Sequence, residues 1–541
     1  MAPENSLPAH VDRVCPPVLT AEAMQAADAH TIESFGLPGF TLMESAGRAA
    51  ADIIAHHYGR MPDASVAVLC GKGNNGGDGL VIARELAARG AAVTVVLMAS
   101  PAALRTDPAR NLKLLQRLMD RSPAGDRITL HVFDTLAAFE EQMAATRPTL
   151  LIDALLGTGL TSDVRSPIRE AVQWANQQAA PTVAIDVPTG LNSDTGAVLG
   201  NAITADRTIT MAAYKAGLLV GKGATRAGAV EVVDIGIPTY ALDDAAQAPG
   251  CARRTTDAAI SALLPDRAPD AHKYSAGMAL VVGGSGSYPG APALSARAAG
   301  RIGAGYVMAA TAAPARDQLA GTLPEIPTRP LPTNADGLQS DASFDALREP
   351  LDKARALCIG PGLGRAPGTE RFVRDLLRRT DQPAVIDADG LNALSGHIDQ
   401  WSEFSDGRWI LTPHAGEFRR LAGSDVSLDN RIQTAATYAE RWNSVLILKG
   451  MPSIVGCPDG STYINGTGNP ALATAGTGDV LAGFCAGLLA QGAPPAQAAL
   501  AALHIGGAVA DAYAAQRAAR TMQALDLVHH LPSVLTERYP L

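Results

Sequence analysis

Several residue types are scarce in this 541-residue chain, and each scarcity excludes a class of protein. Its six cysteines show neither CxxC spacing nor a matching histidine cluster, so no zinc site or disulfide framework is predicted. No run of eighteen apolar residues occurs, and the first residues lack the basic start and apolar stretch of a signal peptide. We therefore expect a cytoplasmic protein with no membrane partner.

Charged residues are also few, at 18%, and the net charge of −9 is spread along the chain without a basic stripe. This pattern excludes a nucleic-acid footprint, so an anionic ligand must be held locally. The 47% hydrophobic content is that of an ordinary globular protein, and 541 residues exceed what one core usually serves. The chain is therefore expected to contain more than one domain.

Short apolar runs alternate with helical patterns in both halves, which is typical of parallel sheets covered by helices. Examples are 65–70, 92–97, 149–153 and 182–186 in the first half, and 278–282, 356–359, 409–411 and 445–448 in the second. The alternation stops near Pro238, where an irregular segment rich in Ala, Asp, Pro and Thr follows. We predict a tail at 1–17, an α/β domain at 18–238, a linker at 239–254 and a second α/β domain at 255–541.

The first glycine-rich motif is GKGNNGGDG at 71–79, between a predicted strand and a helix. Backbone amides that converge at a helix N-terminus favour an anion, although a tight connection is the alternative. The spacing matches neither a GxGxxG nucleotide fingerprint nor a Walker loop. Asp153 and Asp186 end later strands, and Asn75, Asp153 and Thr189 could form an oxygen cage for a monovalent cation. Helix capping is the alternative role for such aspartates.

The second motif is AGTGD at 475–479, where a loop leads into a helix. The amides of Gly476, Thr477 and Gly478 can form an anion hole, and Asp479 supplies a carboxylate beside it. Phosphoryl transfer to an alcohol needs both features, because charge develops on the transferred group and the hydroxyl must lose its proton. A capping aspartate after a glycine turn is the alternative.

Together GKGNNGGDG, DALLGTGL and DVPTG resemble the epimerase domain of bifunctional NAD(P)H-hydrate repair enzymes, over about residues 18–238. The resemblance implies a Rossmann-like three-layer αβα domain, potassium held by Asn75, Asp153 and Thr189, and Asp153 as the candidate acid/base. Thr189 stands where that family usually has Ser, and Tyr214 and Lys215 match its KxG segment without an assigned role. The implied contacts to the hydrated nucleotide are Asn74, Asn75, Gly76, Gly77, Asp78, Gly157, Thr158, Gly159, Leu160, Thr161, Ser162, Asp163 and Asp186.

In the second half, HKYSAG, GPGLG, DADGLN, TPHAGE, LKG and NGTGNPALATAGTGD resemble the ribokinase-like ADP- or ATP-dependent NAD(P)H-hydrate dehydratases. Tyr274 and residues 451–453 depart from that family's pattern. The resemblance implies a ribokinase-like αβα domain in which Asp479 is the catalytic base. The implied contacts to the hydrate are Ala291, Gly364, His414 and Asp479. The implied contacts to the adenine nucleotide are Lys449, Gly450, Met451, Pro452, Ser453, Gly476, Thr477 and Gly478.

These resemblances imply a bifunctional isomerase and lyase for metabolite repair, a homo-oligomer that binds hydrated NADH or NADPH and ADP. The R and S hydrates are interconverted at C6 by opening and re-forming a C–O bond. The S form is then dehydrated at the expense of ADP, with Mg²⁺ bridging the phosphates, to give NAD(P)H, AMP and phosphate. The alternatives are a vitamin-precursor kinase in the C-terminal half, a non-catalytic binding scaffold in the N-terminal half, and a plain NAD-binding regulatory module.

Overall fold

The protein is described here by a computed structural model that covers residues 7, 9–59, 61–133, 139, 143 and 146–540. The chain forms two compact units. The N-terminal unit is Pro17–Ala252, and the C-terminal unit combines Met1–Pro16 with Arg253–Leu541.

The N-terminal unit contains a seven-stranded sheet within its described residues, and every neighbouring pair of strands is parallel. In spatial order the strands are Ile128–Val132, Ala92–Leu97, Ser65–Cys70, Leu150–Ala154, Thr182–Ile185, Arg207–Met211 and Ala229–Val233. The longer helices are Ala21–Ala29, Gly39–Tyr58, Asn74–Ala88, Thr106–Arg121 and Ile168–Asn176. The short strands Pro17–Leu19 and Tyr214–Lys215 pair in parallel.

Local sequence explains these elements. Val and Leu fill the central strands, which are buried on both faces as expected for a parallel sheet between helix layers. Thr20 caps the helix Ala21–Ala29 by accepting a hydrogen bond from Ala23 N at 3.2 Å. Gly47 lets two helices approach closely, since a Cβ there would lie 2.4 Å from Val81 Cβ.

The C-terminal unit contains a larger sheet that is parallel except at the strand Ile454–Gly456, which is antiparallel to both of its neighbours. In spatial order its strands are Thr328–Leu331, Tyr306–Ala312, Met278–Val282, Ala356–Ile359, Ala384–Ile386, Trp409–Leu411, Val445–Leu448, Ile454–Gly456, Thr462–Ile464 and Ala252–Arg254. Its longer helices are Gly290–Arg301, Ser340–Lys353, Pro367–Arg378, Ala415–Ala422, Arg431–Arg441, Thr477–Ala490, Pro495–Gln516 and Ala524–Arg538.

One helix in the described part of the chain, Pro495–Gln516, is long and apolar enough to cross a membrane. Most of its residues are buried inside the C-terminal unit, where they pack in the same hydrophobic core as Thr477–Ala490. The burial accounts for the apolar composition, because a helix that is apolar all round needs cover on every side.

Two segments have more structure than their sequence indicated. Within the predicted tail, Ala9–Val14 is a helix, and Val11 and Cys15 are buried in the core of the C-terminal unit. The predicted linker 239–254 contains the helix Thr239–Ala245 and the strand Ala252–Arg254. These elements are too short for an apolar period to stand out, and partners distant in sequence stabilise them.

Candidate active sites

The candidate site of the N-terminal unit lies where Ser65–Cys70, Leu150–Ala154 and Thr182–Ile185 end, because parallel strands bring their carboxyl ends to one edge. The helix Asn74–Ala88 begins inside the glycine-rich motif, whereas the sequence predicted a helix only after the motif. Its N-cap, Gly73, provides no side-chain hydrogen bond, so the first amides of the helix are free for a ligand.

The residues of the predicted cation cage are connected by hydrogen bonds to one another and to Leu156. Asn75 Nδ2 donates to Leu156 O at 2.9 Å, whereas its buried Oδ1 has no hydrogen-bond partner within the described part of the chain. Thr189 Oγ1 donates to Asp153 Oδ1 at 2.7 Å, and Thr189 N donates to Asp153 Oδ2 at 2.8 Å. A buried oxygen without a partner is costly, so Oδ1 of Asn75 is suited to a bound cation.

Asp153 is held more tightly than its candidate acid/base role requires. Its side chain is 1% exposed, and Leu155 N adds a third hydrogen bond to the two from Thr189. Burial raises the pKa of Asp153 to about 6 despite these hydrogen bonds. A carboxylate enclosed in this way is suited to holding Thr189 and a cation, and less suited to exchanging protons with a substrate.

Asp186 and Lys215 form a buried ion pair at the same edge of the sheet. Lys215 Nζ lies 2.7 Å from Asp186 Oδ1, and the lysine side chain is 1% exposed. Gly157 faces this pair, since a Cβ on Gly157 would lie 3.4 Å from both Asp186 Oδ2 and Asn75 Cβ. The structure therefore brings Asn75, Gly157 and Asp186 together around one space.

Other acidic groups surround this space. Burial raises the pKa of Asp78 well above its usual value, and the charges of Asp186 and Asp28 add to the effect. Burial also raises the pKa of Asp28, while the ammonium of Lys215 opposes the shift at both residues. The single ammonium of Lys215 thus offsets the negative charge of three neighbouring carboxyl groups, those of Asp28, Asp78 and Asp186.

The remaining predicted contacts divide into buried and exposed groups. A Cβ on Gly76 would clash with Gly71 O at 1.9 Å, and one on Gly77 would lie 2.6 Å from Met43 Sδ. Packing within the protein therefore already requires both glycines. Asn74 is exposed. In the loop after Gly157, the residues Thr158 and Leu160 are partly buried, and the exposed residues are Gly159, Thr161, Ser162 and Asp163.

The candidate site of the C-terminal unit lies at the start of the helix Thr477–Ala490. Gly476 adopts a φ of 90°, a left-handed conformation that favours glycine, and directs the AGTGD loop into the helix. Burial raises the pKa of Asp479 to about 7, and the nearby charges of Asp387 and Glu417 act in the same direction. Asp479 can therefore both take up and release a proton near neutral pH.

Lys449 lies between the carboxylates and the glycine loop. Its Nζ is 3.0 Å from Asp387 Oδ1 and 3.8 Å from Glu417 Oε2. Although burial opposes its charge, Asp387 and Glu417 raise the pKa of Lys449. A Cβ on Gly478 would lie 3.4 Å from Lys449 Nζ, so the ammonium borders the predicted anion hole. Amides and a fixed cation together suit a phosphate.

The predicted nucleotide loop 449–453 is supported from beneath by Arg431. Its guanidinium donates to Pro452 O at 2.7 Å and to Leu448 O at 3.0 Å. Gly450 sits against it, since a Cβ there would lie 2.4 Å from Arg431 Nη2. Met451 is 60% exposed, which leaves an apolar side chain available to a base.

The three remaining predicted hydrate contacts follow strands of the larger sheet, at its carboxyl edge. Ala291 is in the first turn of the helix Gly290–Arg301. Gly364 N donates to Asp389 Oδ2 at 2.8 Å. His414 caps the helix Ala415–Ala422, where its Nδ1 accepts from Gly416 N at 3.0 Å, and its backbone N donates to Glu417 Oε2 at 2.9 Å. Its Nε2 lies 3.6 Å from Glu417 Oε2.

Five residues of these surroundings were not predicted as site residues. They are Asp28, Lys215, Asp387, Glu417 and Arg431. Asp387 and Glu417 stand inside the quoted motifs DADGLN and TPHAGE, so their position after strands was an available signal. Asp28 and Arg431 lie on helices and carry no such signal. Among the described residues, no group of three or more His, Cys, Asp and Glu side chains is placed to hold a metal ion.

The fold and the two sites define a two-domain α/β protein in which each domain has its own glycine-rich loop and ionisable groups. Residues 39–217 match the family described as YjeF-related protein N-terminus, and residues 279–533 match NAD(P)H-hydrate dehydratase. A bifunctional NAD(P)H-hydrate repair enzyme of Salinibacter ruber is 58% identical over 98% of both chains. That of Moorella thermoacetica is 40% identical over 96% of both. The chain belongs to the family of bifunctional NAD(P)H-hydrate repair enzymes.

This membership confirms the predicted family, enzyme class and fold class, with a Rossmann-like domain followed by a ribokinase-like domain. It does not support the vitamin-precursor kinase or the binding scaffold. Among solved structures, the ADP/ATP-dependent NAD(P)H-hydrate dehydratase of Bacillus subtilis, co-crystallised with ATP/Mg²⁺, is 30% identical. The match between the two structures covers 52% of this chain and 97% of the Bacillus subtilis chain, with a TM-score of 0.43.

Proposed function

We propose that the C-terminal unit dehydrates the S form of hydrated NADH or NADPH with ADP as phosphoryl donor. Asp479 accepts the proton of the C6 hydroxyl while that oxygen attacks the terminal phosphate of ADP, which releases AMP. Phosphate then leaves C6 with the electron pair of the C6–O bond, a proton is lost from C5 to solvent, and the C5=C6 double bond of NAD(P)H forms. The observation that carries the proposal is an ionisable Asp479 beside the amides of residues 476–478 and the Lys449 ammonium.

The residues of the C-terminal site would have different roles in this reaction. Lys449 and the helix amides stabilise the charge that develops on the transferred phosphoryl group. Mg²⁺, when bound, would neutralise phosphate charge, and Asp387, whose Oδ2 would lie 3.9 Å from a Cβ on Gly478, is the carboxylate beside the glycine loop that would help to hold it. Loop 449–453 would hold the adenine nucleotide, while Ala291, Gly364 and His414 would contact the hydrate.

In the N-terminal unit we propose interconversion of the R and S hydrates at C6, which supplies the S form to the dehydratase. Asn75, Asp153 and Thr189 fit potassium, because Asn75 Oδ1 is buried and otherwise unpaired. A bound potassium ion would supply positive charge beside the nucleotide. Asp186, Gly157 and the free amides at the start of the helix Asn74–Ala88 would bind the hydrate.

The test uses the full chain and a mixture of R and S hydrate, with ADP or ATP, and follows the absorbance of reduced nicotinamide. We expect complete recovery with ADP, because both forms are consumed, and AMP and phosphate as the other products. Recovery of only the S portion, beyond spontaneous epimerisation, would refute the epimerase. No recovery with either nucleotide would refute the dehydratase.

A further inference from the structure

The two carboxylate oxygens of Asp186 have different surroundings. Oδ1 accepts from Lys215 Nζ at 2.7 Å, Thr210 Oγ1 at 3.3 Å and Met211 N at 3.4 Å. Oδ2 has no hydrogen-bond partner among the described residues, and it points toward Gly157. One oxygen is therefore anchored and the other is presented to the space where the hydrate is proposed to bind.

The backbone contributes to this orientation. Asp186 follows the strand Thr182–Ile185 with a φ of 64°, a conformation that a non-glycine residue adopts only when its surroundings impose it. Its amide donates to Ile209 O at 2.7 Å, which ties the residue to the neighbouring strand. The side chain consequently leaves the sheet edge in a defined direction.

All three protons of the Lys215 ammonium are used in contacts within the protein. In addition to Asp186, its ammonium donates to Met211 O at 2.6 Å and to Thr210 Oγ1 at 3.1 Å. An ammonium has three protons, so none remains for a ligand. Because a buried charge must be paired, Lys215 stays on Asp186 and acts through it.

We propose that Asp186 is the catalytic residue that exchanges a proton with the C6 oxygen of the hydrate, and that Lys215 is its positioning residue. The inference rests on the proposed epimerase function. While Oδ1 stays on Lys215, Oδ2 takes up a proton from solvent and passes it to the C6 hydroxyl, so that the C6–O bond breaks with its electron pair on the departing water and the N1 lone pair forms a C=N bond. Water then adds to C6, the C=N electrons return to N1, and the released proton returns to Oδ2.

This assignment moves the proton chemistry away from Asp153. Both carboxylate oxygens of Asp153 accept hydrogen bonds, from Leu155 and Thr189, and its side chain is 1% exposed, whereas that of Asp186 is 15% exposed. A group that exchanges protons with a substrate must reach it within hydrogen-bond distance. Asp186 meets that condition, and Asp153 would keep the role of cation ligand.

The experiment uses the full chain with R hydrate and potassium, without ADP or ATP, so that the dehydratase is silent. Chromatography follows the approach to the mixture of R and S. We expect Asp186→Asn to lower kcat about 100-fold and Lys215→Met about 10-fold, both with little change in KM. Thr210→Val, which removes the weaker anchor, lowers kcat less than Lys215→Met.

Thr208→Val is the matched control. Thr208 lies on the same strand as Thr210 and is also buried, but its hydroxyl donates to Ala227 O and not to Asp186. It keeps the wild-type kcat. Wild-type kcat in Asp186→Asn or Lys215→Met would overturn the proposal. A Lys215→Met variant that loses substrate binding as well as kcat would overturn the positioning role. Absence of epimerisation in the wild type would instead refute the underlying function.

Discussion

Replacing Asp479 by Asn is expected to abolish dehydration and at the same time to stabilise the protein. Burial and the charges of Asp387 and Glu417 raise the pKa of Asp479 from 3.8 to about 7. A carboxyl that resists ionisation in the folded state favours unfolding once the unfolded chain has ionised. Asn has nearly the same shape and carries no charge, so the substitution removes this cost together with the base.

The sign and size of the change in the free energy of unfolding follow from the pKa of Asp479 in the unfolded and in the folded state. Below pH 4 the group is protonated in both states and contributes nothing to the free energy of unfolding. Between pH 4 and about 7 only the unfolded state releases the proton, so stability falls as pH rises. The full difference between the two pKa values corresponds to about 4 kcal/mol. This is an upper limit for the gain in the free energy of unfolding that Asp479→Asn brings at pH 8.

Urea unfolding of wild type and Asp479→Asn at pH 4 and pH 8 measures the effect on the C-terminal unit. We expect similar stability at the lower pH and a more stable variant at the higher pH. Dehydration of S hydrate should rise in the wild type as pH passes about 7, since the base must be ionised. Substantial dehydration by the variant, or lower stability at pH 8, would refute this reasoning.

Three further outcomes are expected. Thr189→Val removes the hydroxyl that donates to Asp153, so potassium-dependent epimerisation should need about tenfold more potassium, whereas Thr189→Ser should behave as wild type. Burial lowers the pKa of His504, which bonds to Asp257 at 2.9 Å, so stability should decline as pH falls below 6.5, and His504→Gln should lose this dependence in urea unfolding. All six cysteines are buried, so a thiol reagent such as DTNB should react only after unfolding; rapid reaction in the native protein would contradict this packing.

Much of the fold was predictable because strong apolar runs mark central strands. The strands Ser65–Cys70, Ala356–Ile359 and Val445–Leu448 have the predicted bounds. Strands with mixed burial were missed, such as Ile128–Val132 and Ala229–Val233, because half-exposed residues weaken the apolar run.

The segment before Pro17 shows a different limit of sequence reasoning. Val11 and Cys15 are buried against Ala259 and Ile260, which lie more than two hundred residues further along the chain. Local composition indicates only a short polar tail. The long-range packing that places it in the C-terminal unit has no local signal, because the partners are set by the fold.

Motif order along the chain was enough to predict two α/β domains and the reaction class, since glycine turns and aspartates at strand ends impose their chemistry locally. Only the tertiary structure decided what each charge does. Lys215 stands 29 positions after Asp186, yet its ammonium anchors one oxygen of that carboxylate. Lys449 and Asp387 likewise follow two different strands, and the ammonium of Lys449 lies 3.0 Å from Asp387 Oδ1. Burial and distance determine which acids stay protonated, and both arise only when the chain has folded.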